Sequence, residues 1–314
     1  MARNINEAVR EVCLSFPETE EVVSHGSPDF RVRGKTFASY VVNHHGDGRV
    51  ALWLNAPSGS QDHYSKSEPR HFFVPPYVGP RGWLGVHLNK GISWQRVAVL
   101  VRQAYEKVAP RALANSIGET VKIVPPAAGL SAEQIDPLKS RRAQTLLAGL
   151  RKMVSPWPEV VEDQQFGNPV WRAGKKTFVW MHADRNEGAA APSADAGPAV
   201  AGATAARSSG AGAAVAGSKA ARASRPAVPK AAGRGSGRPA RPRLQLYFWV
   251  GVAAQGLMTV DERFEIPPYL GHQGWIALNV TEHCDWKQVR GLALTSYRHF
   301  ALQRMLKMLG SDMD

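Results

Sequence analysis

One nine-residue string occurs twice in the chain, as PPYVGPRGW at 75–83 and as PPYLGHQGW at 267–275. Two prolines, a tyrosine, two glycines and a tryptophan are identical. The likeness continues on both sides: a shift of 192 also places Tyr105 on Tyr297, and a shift of 141 places Pro17-Glu18 on Pro158-Glu159. Because both stretches keep their internal spacing, the sequence predicts two copies of one domain of about 110 residues, a size that supports one hydrophobic core.

The two shifts differ by 192 − 141 = 51 residues, so the second copy contains an insertion. It lies at 187–242 and consists almost entirely of Ala, Gly, Ser, Pro and basic residues without any aromatic side chain, a composition that predicts disorder. In the first copy the same connection is HHGDGRV, 44–50, whose Gly-Asp-Gly predicts a tight hairpin turn. Strands at 177–183 and 243–250 should therefore still pair across the insertion, because loop closure becomes only slowly more costly with length.

Each copy is predicted to be α+β, with one antiparallel sheet and helices on one of its faces. The first helix is expected at 5–15, capped by Asn4, and its counterpart is expected to start at the Asp136-Pro137 cap. The closing helices are expected after the caps Ser93 and Asp285. Further elements of the first copy are strands at 29–33, 36–42, 49–54, 71–74 and 83–88 and a helical stretch near 60–67. The predicted domains are 1–115 and 137–310, joined by a linker at 116–136.

The chain is strongly basic, with a net charge of +13 over 314 residues. From Gly188 to Arg243 there are nine Lys or Arg and one acid, so this segment alone carries +8. Such a balance favours polyanionic partners, above all nucleic acid. The two cysteines, Cys13 and Cys284, cannot form a disulfide framework and are interpreted as small apolar residues of a cytoplasmic protein. Neither a signal peptide nor an apolar run near the ~20 residues of a membrane span is present, so no membrane partner is expected.

Three motifs of the first copy resemble one known family. They are FPE at 16–18, HGSPDFRVRGKTF at 25–37 and GPRGW at 79–83, followed by the closing helix, and they are similar to the MmcQ/YjbR family. The resemblance covers about 5–110 and implies a compact fold of the CyaY (frataxin-like) type and DNA binding through a double-wing motif. The second copy looks like a divergent member, without a histidine at the place of His25 and with its hairpin glycine at 174 rather than 175.

The hairpin FRVRGKTF is the candidate wing. Alternation along a strand predicts Arg31 and Arg33 on one face, with Gly34-Lys35 as the turn. A basic hairpin tip of this kind can bind phosphates. The predicted DNA-binding residues are Arg31, Arg33, Lys35, Arg81, Arg172, Lys175 and Lys176. A solvated polar face of a half-buried sheet explains the same residues, and the sequence leaves both interpretations open.

A second interpretation concerns the repeated string itself. Tyr77, Trp83, Tyr269 and Trp275 could line an aromatic shelf that stacks a base, a planar ligand or a drug. Packing of these rings inside the domain is the competing interpretation, because aromatic side chains usually bury their large surface.

No other pattern indicates catalysis. The histidines lack metal-binding spacing with Cys or carboxylate partners, and no P-loop, nucleophile elbow or dinucleotide fingerprint occurs. The acids after the two first helices are interpreted as solvated loops: Glu18, Glu20, Glu21, Glu159, Glu162 and Asp163. The sequence therefore predicts a non-enzymatic protein without metal or cofactor that binds duplex DNA with low sequence specificity. The alternative is a small-molecule-binding protein. The oligomeric state stays open, with a monomeric pseudo-dimer as one form.

Overall fold

The computed structural model of the protein describes residues 4–24, 26–183, 243–280 and 283–309. The insertion predicted at 187–242 and the motif histidine His25 lie outside the described residues. In the part of the chain that is described, no helix is long and apolar enough to cross a membrane.

The first half, residues 4–115, is one antiparallel sheet with helices on one face. Its elements are α1 (Ile5–Cys13), β1 (Thr19–Ser24), β2 (Ser27–Val32), β3 (Lys35–Val42), β4 (Val50–Leu54), α2 (Ser60–Ser67), β5 (Phe72–Phe73), β6 (Leu84–His87), α3 (Trp94–Val108) and α4 (Arg111–Asn115). The strand order is β1-β2-β3-β4-β6-β5. Core residues of α1 and α3 pack with Leu52 and Val86 of the sheet, whereas the alternate residues Ala51 and Trp53 belong to a separate cluster. Helices therefore cover one sheet face, as predicted.

The second half, residues 137–309, repeats this plan around its own core. After a short helix α5 (Ala132–Ile135), its elements are α6 (Arg141–Val154), β7 (Val160–Gln165), β8 (Asn168–Ala173), β9 (Lys176–Ala183), β10 (Leu244–Trp249), α7 (Val252–Met258), β11 (Phe264–Glu265), β12 (Trp275–Val280), α8 (Trp286–Phe300) and α9 (Gln303–Leu309). The sheet order β7-β8-β9-β10-β12-β11 is the order of the first sheet. The chain is thus α+β with two tandem sheets of one topology.

Equivalent residues make equivalent contacts in the two halves. The buried Tyr105 donates its hydroxyl to the carbonyl oxygen of Pro17 at 2.8 Å, and Tyr297 donates to Pro158 at 2.6 Å. The residue after each proline, Glu18 or Glu159, has a positive φ of 54° or 51°. The spacing of the internal repeat therefore reflects a repeated three-dimensional arrangement.

The helix starts follow the capping chemistry of the sequence. The Asn4 side chain accepts from the Glu7 amide at 2.9 Å, and the Glu7 carboxylate accepts from the Asn4 amide at 3.1 Å, which completes a capping box. Ser93 and Asp285 cap α3 and α8, as expected. The expected cap at Asp136 is wrong for α6: Asp136 caps a single 3-10 turn, Pro137–Lys139, and Ser140 caps the α-helix. Proline fits the first turn of a 3-10 helix as well as that of an α-helix, because the backbone N–H at this position has no partner within the helix. Pro137 therefore did not distinguish the two.

The acids predicted to lie in solvated loops belong mostly to strands. Residues 19–24 and 160–165 form β1 and β7, which lie at one edge of each sheet. These strands contain no fully buried residue, so the apolar alternation that reveals an inner strand is missing. Their acids pair with basic residues: Glu21 with Arg10 at 2.8 Å and Glu162 with Arg151 at 2.7 Å.

The strands that flank the insertion pair as predicted. β9 and β10 are antiparallel neighbours, and the ladder ends on Ala183 opposite Leu244. The connection of the first half, predicted as a tight Gly-Asp-Gly turn, instead contains a 3-10 turn, His44–Gly46, after the left-handed Asn43. The predicted linker contributes to the first core, with Ile123 buried and Ile117, Val121 and Leu130 packed against it. The domain boundaries stay a prediction.

Candidate functional site

The β2–β3 turn is formed by Arg33 and Gly34, with φ of 47° and 76°. Two successive positive φ values are typical of the two-residue turn that matches strand twist. Arg33 thus lies in the turn itself and Lys35 begins β3, so the turn predicted at Gly34-Lys35 is one residue too late. A register shift between Phe30 and Arg31 further breaks the alternation expected to place Arg31 and Arg33 on one face.

Both predicted DNA-binding arginines of the first hairpin already bind carboxylates. Arg33 donates to Glu18 at 2.6 and 3.0 Å, and this hydrogen bond lowers the pKa of the Glu18 carboxyl. Arg31 contacts Asp29 at 3.2 Å. Their charges are therefore partly neutralised within the fold.

The second hairpin follows the same plan. Arg172 donates to Asp163 at 2.9 Å. A backbone hydrogen bond from Gln164, together with Arg172, lowers the pKa of the Asp163 carboxyl. The turn is formed by Gly174, with φ 60°, and Lys175.

The lysines beside both turns have a different status. Lys35, Lys175 and Lys176 are exposed, and no ion pair to any of them occurs among the described residues. The same holds for Arg81 at the end of the turn that follows Gly79. Of the seven predicted cations, these four are available to an external anion without first breaking an intramolecular pair.

The predicted aromatic shelf is split between two environments. Trp83 and Trp275 are buried, with 8% and 6% of their surface exposed, and pack in the clusters of Trp53 and Tyr247. Tyr77 and Tyr269 are 67% and 64% exposed. Within the described residues no ring contact joins either tyrosine to the tryptophan of its own string. A shallow surface depression of about 480 Å³ lies beside α2, and none of the four shelf residues lines it.

A pair of glutamines that the sequence did not single out shapes both repeated strings. Gln61 on α2 donates its side-chain amide to the carbonyl oxygens of Gly79 and Trp83 at 2.7 and 2.6 Å. Gln255 on α7 donates to Gly271 and Trp275 at the same two distances. We call each arrangement the glutamine bridge. Its one signal in the sequence is that Gln255 is the only side-chain amide in the apolar helix VAAQGLM.

The two halves contact each other through residues whose contact the sequence did not predict. The ring of His45 lies 5.0 Å from that of Phe166, and a Cβ on Gly167 would lie 2.4 Å from the Gly46 nitrogen. Tyr77 joins this contact through a 3.0 Å hydrogen bond between its hydroxyl and His45 Nε2. This contact involves the connection HHGDG in the first half and the β7–β8 turn in the second.

The cysteines and metal-binding residue types offer little chemistry. Burial raises the pKa of the Cys13 thiol and, less strongly, that of Cys284, so the reactive thiolate is disfavoured at both positions. Over residues 4–24, 26–183, 243–280 and 283–309, no three His, Cys, Asp or Glu side chains are grouped so that they could hold a metal ion.

Comparison with known proteins finds a family match in the first half of the chain. The YjbR family model matches residues 14–107. This segment is a YjbR domain. The YjbR domain spans β1 to α3 and contains the first hairpin, the first glutamine bridge and Tyr77. The likeness of the second half to it is carried by the common strand order and the equivalent contacts.

A crystal structure of a Deinococcus radiodurans protein with the family-model domain DUF419 is similar at 15% identity and a TM-score of 0.33, over 38% of this chain and 96% of that chain. No curated protein matches the sequence.

Proposed function

We propose that the protein is a non-enzymatic DNA-binding protein of low sequence specificity. Phosphates are contacted by lysines at the turns of two equivalent hairpins, and the basic segment between 188 and 243 adds electrostatic affinity. The presence of a YjbR domain supports the proposal, because the MmcQ/YjbR resemblance of the sequence implies DNA binding by paired wings.

The observation that carries the proposal is the repeated position of the free lysines. Lys35 begins β3 directly after the turn of the first hairpin, and Lys176 begins β9 at the same place in the second, where Lys175 lies in the turn itself. All three are exposed and lack an ion pair within the described chain. An ammonium group in this setting can exchange its water for a phosphate and release counterions from DNA.

The arginines contribute less in the unbound protein. Arg33 and Arg172 would have to exchange a carboxylate for a phosphate, and the released Glu18 or Asp163 would then repel the DNA backbone. Because exposed ion pairs contribute little stability, this exchange is permitted but brings little gain. The lysines should therefore dominate the salt dependence of the folded part.

The test is a titration of labelled duplex DNA with the full chain at several salt concentrations. Replacing Lys35, Lys175 and Lys176 by Gln should weaken binding and reduce the slope of log K against log[salt] by about three, near one for each lost phosphate contact. The matched control replaces Lys90, Lys152 and Lys307, which are exposed elsewhere on the two halves. That variant has the same net charge and should keep the wild-type slope.

A second variant separates the hairpins from the basic segment. Because Ala183 and Leu244 pair in the sheet, residues 184–243 can be replaced by NHHGDGR, the connection that links Val42 to Val50 in the first half. The proposal expects weaker but measurable binding that still depends on the three lysines. Loss of all binding in this variant would show that the folded halves are not DNA-binding modules. Absence of binding by the full chain would reject the proposed function altogether.

A further inference from the structure

Both repeated strings expose a tyrosine in an unfavourable backbone conformation. Tyr77 and Tyr269 each have φ 63°, in the left-handed region, and about two thirds of each side chain is in solvent. Glycine adopts this region freely, whereas a bulky L-residue pays a steric penalty there. Since little of either ring is buried, packing does not offset that penalty. The fold alone gives no reason to keep tyrosine at both positions.

The backbone that carries each tyrosine is held firmly. The glutamine bridge fixes the carbonyl groups on the C-terminal side of the loop. On the other side, Val74 packs so closely on Gly79 that a Cβ there would lie 2.6 Å from its side chain, and Ile266 packs on Gly271 in the same way, at 2.2 Å. Each ring is therefore presented on a preorganised loop.

Contacts within the chain explain the first tyrosine only in part and the second not at all. Tyr77 bonds to His45 Nε2 and meets the edges of two histidine rings. For Tyr269, neither a hydrogen bond nor a ring contact to another side chain occurs among the described residues. The feature that the two halves share is thus the outward-facing ring, and its use lies outside the chain.

We propose that Tyr77 and Tyr269 stack on unpaired bases, so that the protein prefers single-stranded over fully paired DNA. This inference rests on the proposed function and names the form of nucleic acid that it favours. An exposed aromatic ring beside a positive groove is the arrangement by which proteins bind single strands without sequence preference. Here Arg81 is exposed four residues after Tyr77, whereas Gln273 stands at the equivalent place after Tyr269; the net charge is +13 for the chain, of which +5 lies outside 188–243. That charge favours a polyanion over a protein surface as the partner of the two rings.

The experiment compares a labelled single strand with a duplex of the same length, both bound to the full chain at one salt concentration. Replacing both tyrosines by Gly should lower the affinity for the single strand by about 30-fold or more and leave duplex affinity within about twofold. Replacing both by Phe should preserve single-strand affinity, because stacking needs the ring and not the hydroxyl. The matched control replaces Leu257 and Val260, which are 80% and 83% exposed on and after α7, by Ala and should change neither affinity.

Each result has a separate meaning. Equal affinity of the wild type for both DNA forms, or single-strand binding that survives both Gly substitutions, overturns the inference and leaves the hairpin lysines as the binding groups. Failure of the wild type to bind either DNA form rejects the proposed function and the inference with it. Since Gly fits φ 63°, the variant is expected to fold. Tyr→Asn at both sites, which also tolerates this region, repeats the test with another side chain.

Discussion

At the scale of the residue, Tyr269 is a side chain that the fold does not need. A left-handed conformation costs a non-glycine residue roughly 1–2 kcal/mol, while a glycine there loses about 0.5–1 kcal/mol more backbone entropy on folding. These contributions nearly cancel. We expect Tyr269→Gly to change the free energy of unfolding by less than about 1 kcal/mol in chemical denaturation.

The contrast is Tyr297, the fully buried tyrosine of the second core. Its replacement by Ala should cost roughly 3–5 kcal/mol, because it leaves a large cavity and an unpaired Pro158 carbonyl. A loss of similar size on Tyr269→Gly would mean that the exposed ring has a structural role.

The ion pair of Glu68 with Arg96 should make the stability of the first half depend on pH. The Glu68 carboxylate accepts two hydrogen bonds from Arg96, at 2.6 and 2.7 Å, and these lower its pKa from the usual 4.5 to about 2. A depressed pKa stabilises the fold above 4.5, and that stabilisation is lost as pH falls from 4.5 towards 2. Glu68→Gln should therefore lower the unfolding temperature at pH 6 and have almost no effect at pH 2. An equal deficit at both values would show that the Arg96 pair does not act through charge.

At the scale of the element, the two glutamine bridges form a natural matched pair. Gln255 is buried and Gln61 only partly so, although their hydrogen bonds have the same lengths. Replacing Gln255 by Leu leaves two buried carbonyl groups without a donor, at about 1–3 kcal/mol for each group left unsatisfied. We expect Gln255→Leu to lower stability more than Gln61→Leu, because water can reach the carbonyl groups in the first half. Urea denaturation of the two variants checks the order, and the reverse order would contradict the assignment.

The contact between the β7–β8 turn and the first half depends on glycine. Gly167 has φ 71°, and a Cβ there would approach the His45 carbonyl carbon and the Gly46 nitrogen to 2.4 Å. Gly34 has a similar φ of 76° but open space around its Cβ position, so Gly34→Ala measures the backbone strain alone. Gly167→Ala should cost more than the roughly 1 kcal/mol of that control, and the excess reports the contact between the halves. Equal losses in thermal unfolding would mean that this contact contributes nothing to stability.

The sequence predicted those elements whose signals are local or periodic. The face of α1, the caps Asn4, Ser93 and Asp285, and the pairing of β9 with β10 are confirmed, because each follows from side-chain spacing or from the internal repeat. The edge strand β1 was missed, since it has no fully buried residue and shows no apolar alternation, whereas β5 at the opposite edge was predicted at 71–74.

The candidate site was less predictable for a physical reason. Whether a lysine or arginine is free depends on a partner that is distant in sequence: Glu18 lies 15 residues before Arg33, and Arg304 lies 145 residues after Glu159. The glutamine bridges likewise join residues about 20 apart, so no short motif contains them.

At the scale of the whole molecule, the protein consists of two cores of one design that have diverged on their surfaces. The helix α2 is polar, SQDHYSKS, whereas its counterpart α7 reads VAAQGLM. What persists in both halves is the tyrosine–proline hydrogen bond, the glutamine bridge and the exposed tyrosine. The first two maintain the scaffold, and the third is the feature to which a shared function can be attached.

Because Ala183 and Leu244 pair in the sheet, the connection between β9 and β10 can carry an inserted sequence without changing the sheet. The connection grows from 43–49 in the first half to 184–243 in the second, about three doublings of length, and such growth costs only on the order of 2 kcal/mol of closure entropy. Paired residues in an antiparallel ladder are about 5 Å apart, so any inserted segment whose two ends lie that close could connect β9 to β10. The length and composition of this segment can therefore change between lineages, or be redesigned, while the register of the surrounding strands stays fixed.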